Sequence, residues 1–359
     1  MFDPLKPYNS LPQLPPNFNF DDIAILKKLN KANIALSQLE AGSLAIPNRT
    51  LLLEPLSVRE AVASSGIENI NTTVAEVFQA ELFPEREITK EQKETLHYRD
   101  ALRVGYQLIH KHTFLHTNGF LEIQGILEPN KKGIRKLPGT SIKNSVTDEV
   151  LYTPLEGEVL IRDFLKNYEE YYNNFSDDID PLLKMAVLHY QFEAIHPFYD
   201  GNGRTGRILM VLYLILAKKM ELPILFISGY INKNRSEYYR LLREVTSQEN
   251  WKDWILFILN AVESQASETH ITVKKIRDLQ EQYKKTMKEK LPKIYSADLV
   301  EFLFANPFYN QEQLSKKVGV HPNTAAKYLN LLLAEKFLES FKHKKAKIYF
   351  NPKFLDLLS

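Results

Sequence analysis

The chain has 359 residues, 44% hydrophobic and 25% charged, with a formal net charge of +2. That is ordinary globular composition, too long for one compact core in most folds, so two or three domains are expected, and the charge exerts no whole-chain pull toward nucleic acid or membrane. The lack of any cysteine excludes disulfides, thiolate metal sites and a cysteine nucleophile.

Residues 1–20 carry Pro4, Pro7, Pro12, Pro15 and Pro16 together with the acidic Asp3 and no apolar run. This reads as a Pro-rich arm, wrapped on a surface or extended, and not as a signal peptide. Ile23, Leu26, Leu29, Ile34, Leu36 and Leu39 recur at helical spacing and predict a helix over 21–40, with Gly42 as its stop. Further helices are predicted over 56–83 and 89–113. In the first of these, Ser65 and Glu68 have the spacing of a capping box at a helix start. His112 and His116 lie four apart without a nearby carboxylate, and read as helix-surface histidines rather than metal ligands. Gly133, Pro138, Gly139, Asn144 and Pro154 punctuate short Ile/Val/Thr/Tyr pieces, which predicts a β-hairpin within 133–154.

Helical pattern resumes over 158–172. Asp180-Pro181 is a helix start, an N-cap followed by proline, for a helix running to about Ile195. A strongly apolar helix is expected from about Thr205 to Lys219. It contains the longest apolar run, Ile208 to Ala217, far short of the ~20 residues a bilayer needs, so a soluble cytoplasmic protein without membrane contact is expected. Residues 236–280 read as helical and 281–292 as a connector. Gln311–Val318, a turn at Gly319, and His321–Ala334 read as helix-turn-helix, with strand-like 337–341 and 347–350 as a wing. Residues 293–359 hold ten lysines, six acidic residues and no arginine, the commonest reader of guanine edges. DNA binding and protein docking both stay open there. A solvated basic wing around Lys342, His343, Lys344 and Lys345 fits docking as well, and Lys327 would join it in gripping DNA.

The segment with the most chemistry runs from His196 to Arg207, between two helices. Gly201 and Gly203 let backbone N–H groups approach an anion, and the following helix begins there, so its positive dipole end points at the same place. Arg204 and Arg207, three apart, are neighbours on the first turn, and two guanidinium forks suit a polyphosphate. Asp200 is a hard oxygen ligand, and Mg²⁺ typically binds through one carboxylate plus phosphates. His196 is the one side chain here that exchanges a proton near neutral pH. Phe198 is expected to point inward. Gly201-x-Gly203-x-x-Gly206 also spells a dinucleotide fingerprint, with Glu221 downstream, but that motif needs a preceding strand, and a helix is predicted here.

The same segment resembles the Fic family signature HPFx[DE]GNGRxxR and matches every specified position. The resemblance extends more loosely over 55–260. It implies a mainly α Fic fold with a β-hairpin flap, here followed by a C-terminal winged helix-turn-helix domain. It implies AMP transfer from Mg·ATP to a protein Ser, Thr or Tyr hydroxyl, on a target or on the chain itself. By the same resemblance, His196 is the base and Asp200 holds the metal. Asn202 and the loop amides of Gly201, Gly203, Thr205 and Gly206 cradle phosphate, and Arg204 and Arg207 hold the β and γ phosphates. Ser64, Glu68 and Asn69 look like the family's inhibitory motif [ST]xxxE[GN], in which the glutamate pairs with the second arginine, here Arg207. Thr140, Ser141, Ile142 and Lys143 are the expected ATP-side residues of the flap, and Tyr238 and Tyr239 those near adenosine. Two tyrosines on a helix fit a core equally well.

The expected division is an inhibitory helical region (1–100), a catalytic core (101–262), a helical connector (263–292) and a winged-helix domain (293–359). An ATP-sensing DNA-binding regulator and removal of AMP by the same site, with Glu68 orienting a water, are alternative readings. Homodimer formation stays open.

Overall fold

The computed structural model describes residues 2–143, 149–344 and 346–359; Asn144 of the expected hairpin and Lys345 of the expected wing lie outside them. The Pro-rich arm is laid along later parts of the chain. Tyr8 N–H donates to the Thr153 carbonyl at 3.0 Å, Gln191 donates to the Pro12 carbonyl at 2.8 Å, and Leu11 and Leu14 are buried.

Five helices follow: α1 (Ile23–Leu44), α2 (Leu53–Ile67), α3 (Val74–Ala80), α4 (Lys90–His112) and α5 (Thr117–Leu127). Gly42 does not stop α1. It lies inside it, where an added Cβ would sit 2.6 Å from the His270 ring, so the glycine permits a close helix crossing instead. The helix predicted over 56–83 is broken in two. Glu68 is the C-cap of α2, and Asn69 follows in the left-handed region at φ 62, a conformation asparagine tolerates. Ser65 and Glu68 therefore close a helix rather than open one. The capping box belongs to α3, where Thr73 and Glu76 each bond the other's backbone N–H. α5 was not anticipated; His112 ends α4 and His116 is the N-cap of α5, so the two histidines do not share a helix.

The hairpin is smaller than expected: β1 (Ile142–Lys143) pairs antiparallel with β2 (Val150–Tyr152), and residue 134 bridges 198. Next come α6 (Glu158–Asn173), α7 (Pro181–Ile195) and α8 (Asn202–Leu216). Asp180 caps α7 by accepting from Leu182 N–H at 2.8 Å. α7 is buried on every side, and so is α8 almost from its first residue, as sequences apolar all round require. This packed pair is the centre of the fold, and its junction carries the site.

α9 (Ser228–Lys233), α10 (Arg235–Gln248) and α11 (Trp251–Lys290) complete the core. The expected connector at 281–292 is mostly the last turns of α11, a single helix of 40 residues. It packs against α1 through Lys28–Glu263 (2.7 Å) and Lys252–Asp22 (2.8 Å). The boundaries drawn at 100 and 262 fall inside α4 and α11.

The last segment holds α12 (Ala297–Ala305), β3 (Phe308–Tyr309), α13 (Gln311–Val318), α14 (Pro322–Ala334), β4 (Glu339–His343), β5 (Ala346–Phe350) and α15 (Pro352–Leu358). The sheet order is β3-β5-β4, and Gly319 turns left-handed (φ 71) between α13 and α14, an arrangement compatible with the expected winged helix-turn-helix. β3 and α15 were not foreseen. The end of β4 folds back on the N-terminal region: the His343 ring stacks on Phe83 at 3.9 Å between centroids, and Lys344 reaches Glu87 at 2.7 Å. Among the described residues no helix is long and apolar enough to cross a membrane.

Candidate active site

α7 stops because His196 turns left-handed (φ 48, ψ 58), with its N–H still bonded to the Phe192 carbonyl at 3.0 Å. Such a backbone costs a non-glycine residue about 1–3 kcal/mol unless its surroundings impose it. Here they do. Phe198 is fully buried, and the Asn202 amide binds both the N–H (2.8 Å) and the carbonyl (2.9 Å) of Phe198. Asn202 therefore staples the turn, and its side chain is not free to cradle phosphate. Gly201 supplies a left-handed step (φ 77) before α8. Thr205 Oγ1 donates back to the Gly201 carbonyl at 2.8 Å. The first-turn amides of α8 have no intrahelical acceptor, and the helix dipole adds to their pull on an anion.

Both arginines are buried and both are already engaged by carboxylates. Arg207, 1% exposed, donates to Ser64 Oγ (2.8 Å), the Ser64 carbonyl (3.1 Å) and Glu68 Oε1 (2.9 Å). A Cβ on residue 203 would lie 2.5 Å from Glu68 Oε1, so glycine there makes room for the pair. Burial works to lower the Arg207 pKa, but Glu68 together with Tyr238, Glu193 and Tyr98 outweighs it and the pKa rises. Asn69 accepts from Arg235 at 2.8 Å, which ties the end of α2 to α10. Arg204 donates to Glu128 Oε1 at 2.6 Å and lies 4.0 Å from Glu94.

Two more carboxyls lie in the charge field of Arg207. Burial pushes Glu60 and Glu193 up to about 7, against the pull of the guanidinium. Glu60 accepts from Tyr98 Oη at 3.1 Å and from Ser228 Oγ. Burial, then the charge of Arg135, pushes His196 down to about 4, while Glu68 and Asp200 pull the other way. The ring is thus neutral, the form that accepts a proton.

Asp200 sits at the mouth, its side chain 41% exposed and 2.5 Å from Lys131 Nζ. Against the upward push of burial, Lys131 and the Gly201 N–H hold its carboxyl below the usual range. Among the described residues no three His, Cys, Asp or Glu side chains group to hold a metal unaided. A single accessible carboxylate beside a phosphate nest does fit Mg²⁺, which keeps waters and takes phosphate oxygens for the rest.

Beside this junction an apolar cleft opens between the hairpin and α10, lined among others by Ile142, Tyr152, Glu193, Tyr239 and Arg243. Ile142 and Tyr239 are where the sequence expected nucleotide contacts. Thr140 and Ser141 stand partly exposed and do not line the cleft, and the Lys143 side chain lies outside the described residues. Tyr238 is a correction: it is buried, with Oη 2.8 Å from His189 Nε2. Successive helical residues point about 100° apart, so only one of two adjacent tyrosines faces the cleft. Sequence reasoning missed Glu128, Lys131, Arg135, Glu60 and Glu193. All are single polar residues in helices or loops without a local pattern to mark them.

Residues 26–107 match the profile described as Fic/DOC family N-terminal and 109–214 that of the Fic/DOC family. Residues 279–354 match the C-terminal domain of SoFic-like protein adenylyltransferases. Protein adenylyltransferase fic-1 of Caenorhabditis elegans is 34% identical over 94 residues, 25% of this chain and 17% of that protein. A probable protein adenylyltransferase of Aquifex aeolicus is 46% identical over 66 residues, 18% of each chain. These matches cover less than a fifth of either relative's length. A crystal structure of a Fic family protein from Desulfovibrio desulfuricans shares the fold at TM-score 0.58 and 18% identity, over 93% of this chain and 98% of that one. Fic-1 of Caenorhabditis elegans aligns at TM-score 0.54 and 20% identity, over 70% and 74%.

Proposed function

The chain belongs to the Fic/DOC family, and on that premise we propose that it transfers AMP from ATP to a hydroxyl of a target protein. The observation that carries the reading is the α7–α8 junction. A neutral His196 ends one helix, and the amide end of the next begins six residues later beside Arg204 and Arg207. In the proposed reaction a ring nitrogen of His196 takes the hydroxyl proton and the hydroxyl oxygen attacks the α-phosphorus. The bond to the bridging oxygen breaks and pyrophosphate leaves. The α8 amides stabilise the charge spread over the phosphate oxygens, and Arg204 and Arg207 grip the β and γ phosphates. Asp200 would hold Mg²⁺, which supplies further charge neutralisation on the phosphates. In this state Glu68 occupies Arg207, so the chain is proposed to rest inhibited, with α2 as the brake.

Labelled ATP and cell extract test the activity. His196→Ala should abolish label transfer while ATP binding persists, because the grip lies in other residues. Full transfer by that variant would remove His196 as the base.

For residues 293–359 we propose protein docking rather than DNA binding. The wing residues that would touch a nucleic-acid backbone, His343 and Lys344, are engaged by Glu87 at 3.2 and 2.7 Å.

A further inference from the structure

Arg135 precedes the hairpin and is 1% exposed. Its side chain has three main-chain carbonyls as acceptors. Its Nε donates to His196 O at 2.8 Å, and one terminal nitrogen donates to Ile195 O at 3.3 Å and to Leu155 O. Its own N–H donates to Pro197 O at 3.0 Å, and the neighbouring Ile134 bridges Phe198. One residue thus holds the end of α7, the start of the catalytic turn and the loop that follows β2.

Burying a guanidinium against neutral carbonyls is costly, and burial lowers its pKa. A helix C-terminus offsets part of that cost, since its last carbonyls are orphaned and carry the negative end of the dipole. Lysine would present a point charge; only the planar fork reaches His196, Ile195 and Leu155 together. The left-handed backbone of His196 needs something to impose it, and Arg135 grips the carbonyl of that residue. The same side chain holds the loop that follows β2, at Leu155, and so ties down the exit of the hairpin. A segment seated on the hairpin is then in fixed register with the imidazole.

We infer that Arg135 is the positioning residue of the His196 base, fixing imidazole and hairpin as one unit so that an incoming hydroxyl meets the ring in line. The inference rests on the proposed AMP transfer only for what the base does; the positioning itself has a separate readout. The charge of Arg135 also lowers the His196 pKa, after burial, while Glu68 and Asp200 raise it.

The test is made on the full chain carrying Glu68→Gly, with and without Arg135→Ala. A misplacement of about 1 Å can cost about 10²-fold in rate. Turnover of labelled AMP transfer should therefore fall about 10²-fold in Arg135→Ala with ATP affinity by calorimetry unchanged. Added guanidinium ion at non-denaturing concentration should restore part of it. The ¹³C-histidine NMR signal of His196 should shift or broaden. A folded Arg135→Ala with parental turnover and an unchanged His196 signal overturns the inference. So does a loss of turnover matched by an equal loss of ATP affinity. If the alanine variant does not fold, Arg135→Lys keeps charge and bulk without the fork, and parental turnover there overturns it equally. Absence of AMP transfer with Arg135 intact refutes the activity instead, and the His196 signal still decides the role of Arg135.

Discussion

Glu68→Gly should raise AMP transfer by about 30-fold. ATP can settle for in-line attack only after its γ-phosphate displaces Glu68 from Arg207, so the strength of that pair is a penalty on the productive complex. Exposed pairs contribute about 0–1 kcal/mol, and breaking buried ones costs about 3–5 kcal/mol. Here Arg207 is 1% exposed and Glu68 34%, and the two Ser64 contacts of Arg207 survive the substitution. An intermediate ~2 kcal/mol follows, which at about 1.4 kcal/mol per tenfold is roughly 30-fold. Glycine at this C-cap meets no backbone strain, since Glu68 has φ −88. The assay is labelled AMP incorporation at subsaturating ATP for the native chain, Glu68→Gly and Glu68→Gly/His196→Ala. A gain in the single variant that vanishes in the double is expected. An unchanged or lower rate in Glu68→Gly, with only a lowered melting temperature, would refute the competition and leave Glu68 as a structural partner of Arg207.

Asp200→Ala should remove the Mg²⁺-dependent part of ATP affinity in calorimetry, and equal affinities with and without the carboxylate would sink its metal role. Glu60 carries a folded-state pKa of about 7 against an ordinary 4.5, so the folded state binds the extra proton and stability falls as pH rises between those values. Glu60→Gln should therefore narrow the gap between urea midpoints measured at about pH 5 and pH 8; an unchanged gap contradicts the assignment. The full chain should shift no duplex DNA at low salt, whereas a shift falling steeply with salt would show that residues 293–359 grip phosphates.

The parts of the molecule legible in the sequence are those where local chemistry dictates geometry. Asp180-Pro181 and Thr89 start helices where expected, and the 196–207 turn is a contiguous string whose glycines and histidine each have a backbone reason. Ser65 and Glu68 misled because the capping-box spacing is indifferent to direction. The signal that reverses it is Asn69, the kind of residue that follows a helix in the left-handed region. The connector at 281–292 was misplaced because its lysines and glutamates masked Leu279, Tyr283 and Met287, one helical face repeating every four residues. Glu128, Lys131 and Arg135 were illegible because each matters only through a partner distant in sequence. Glu128 meets Arg204 76 residues on, and Arg135 meets His196 61 residues on.

The 40 residues of α11 make a rod about 60 Å long at about 1.5 Å per residue. Near one end, the Trp254 indole donates to the Ala186 carbonyl of α7 at 2.8 Å; near the other, Tyr283 Oη reaches Asn351 at 2.9 Å. A helix with an unbroken hydrogen-bond ladder transmits twist better than a loop does. One continuous helix therefore touches both the helix that ends in His196 and, through Asn351, the residue that closes β5.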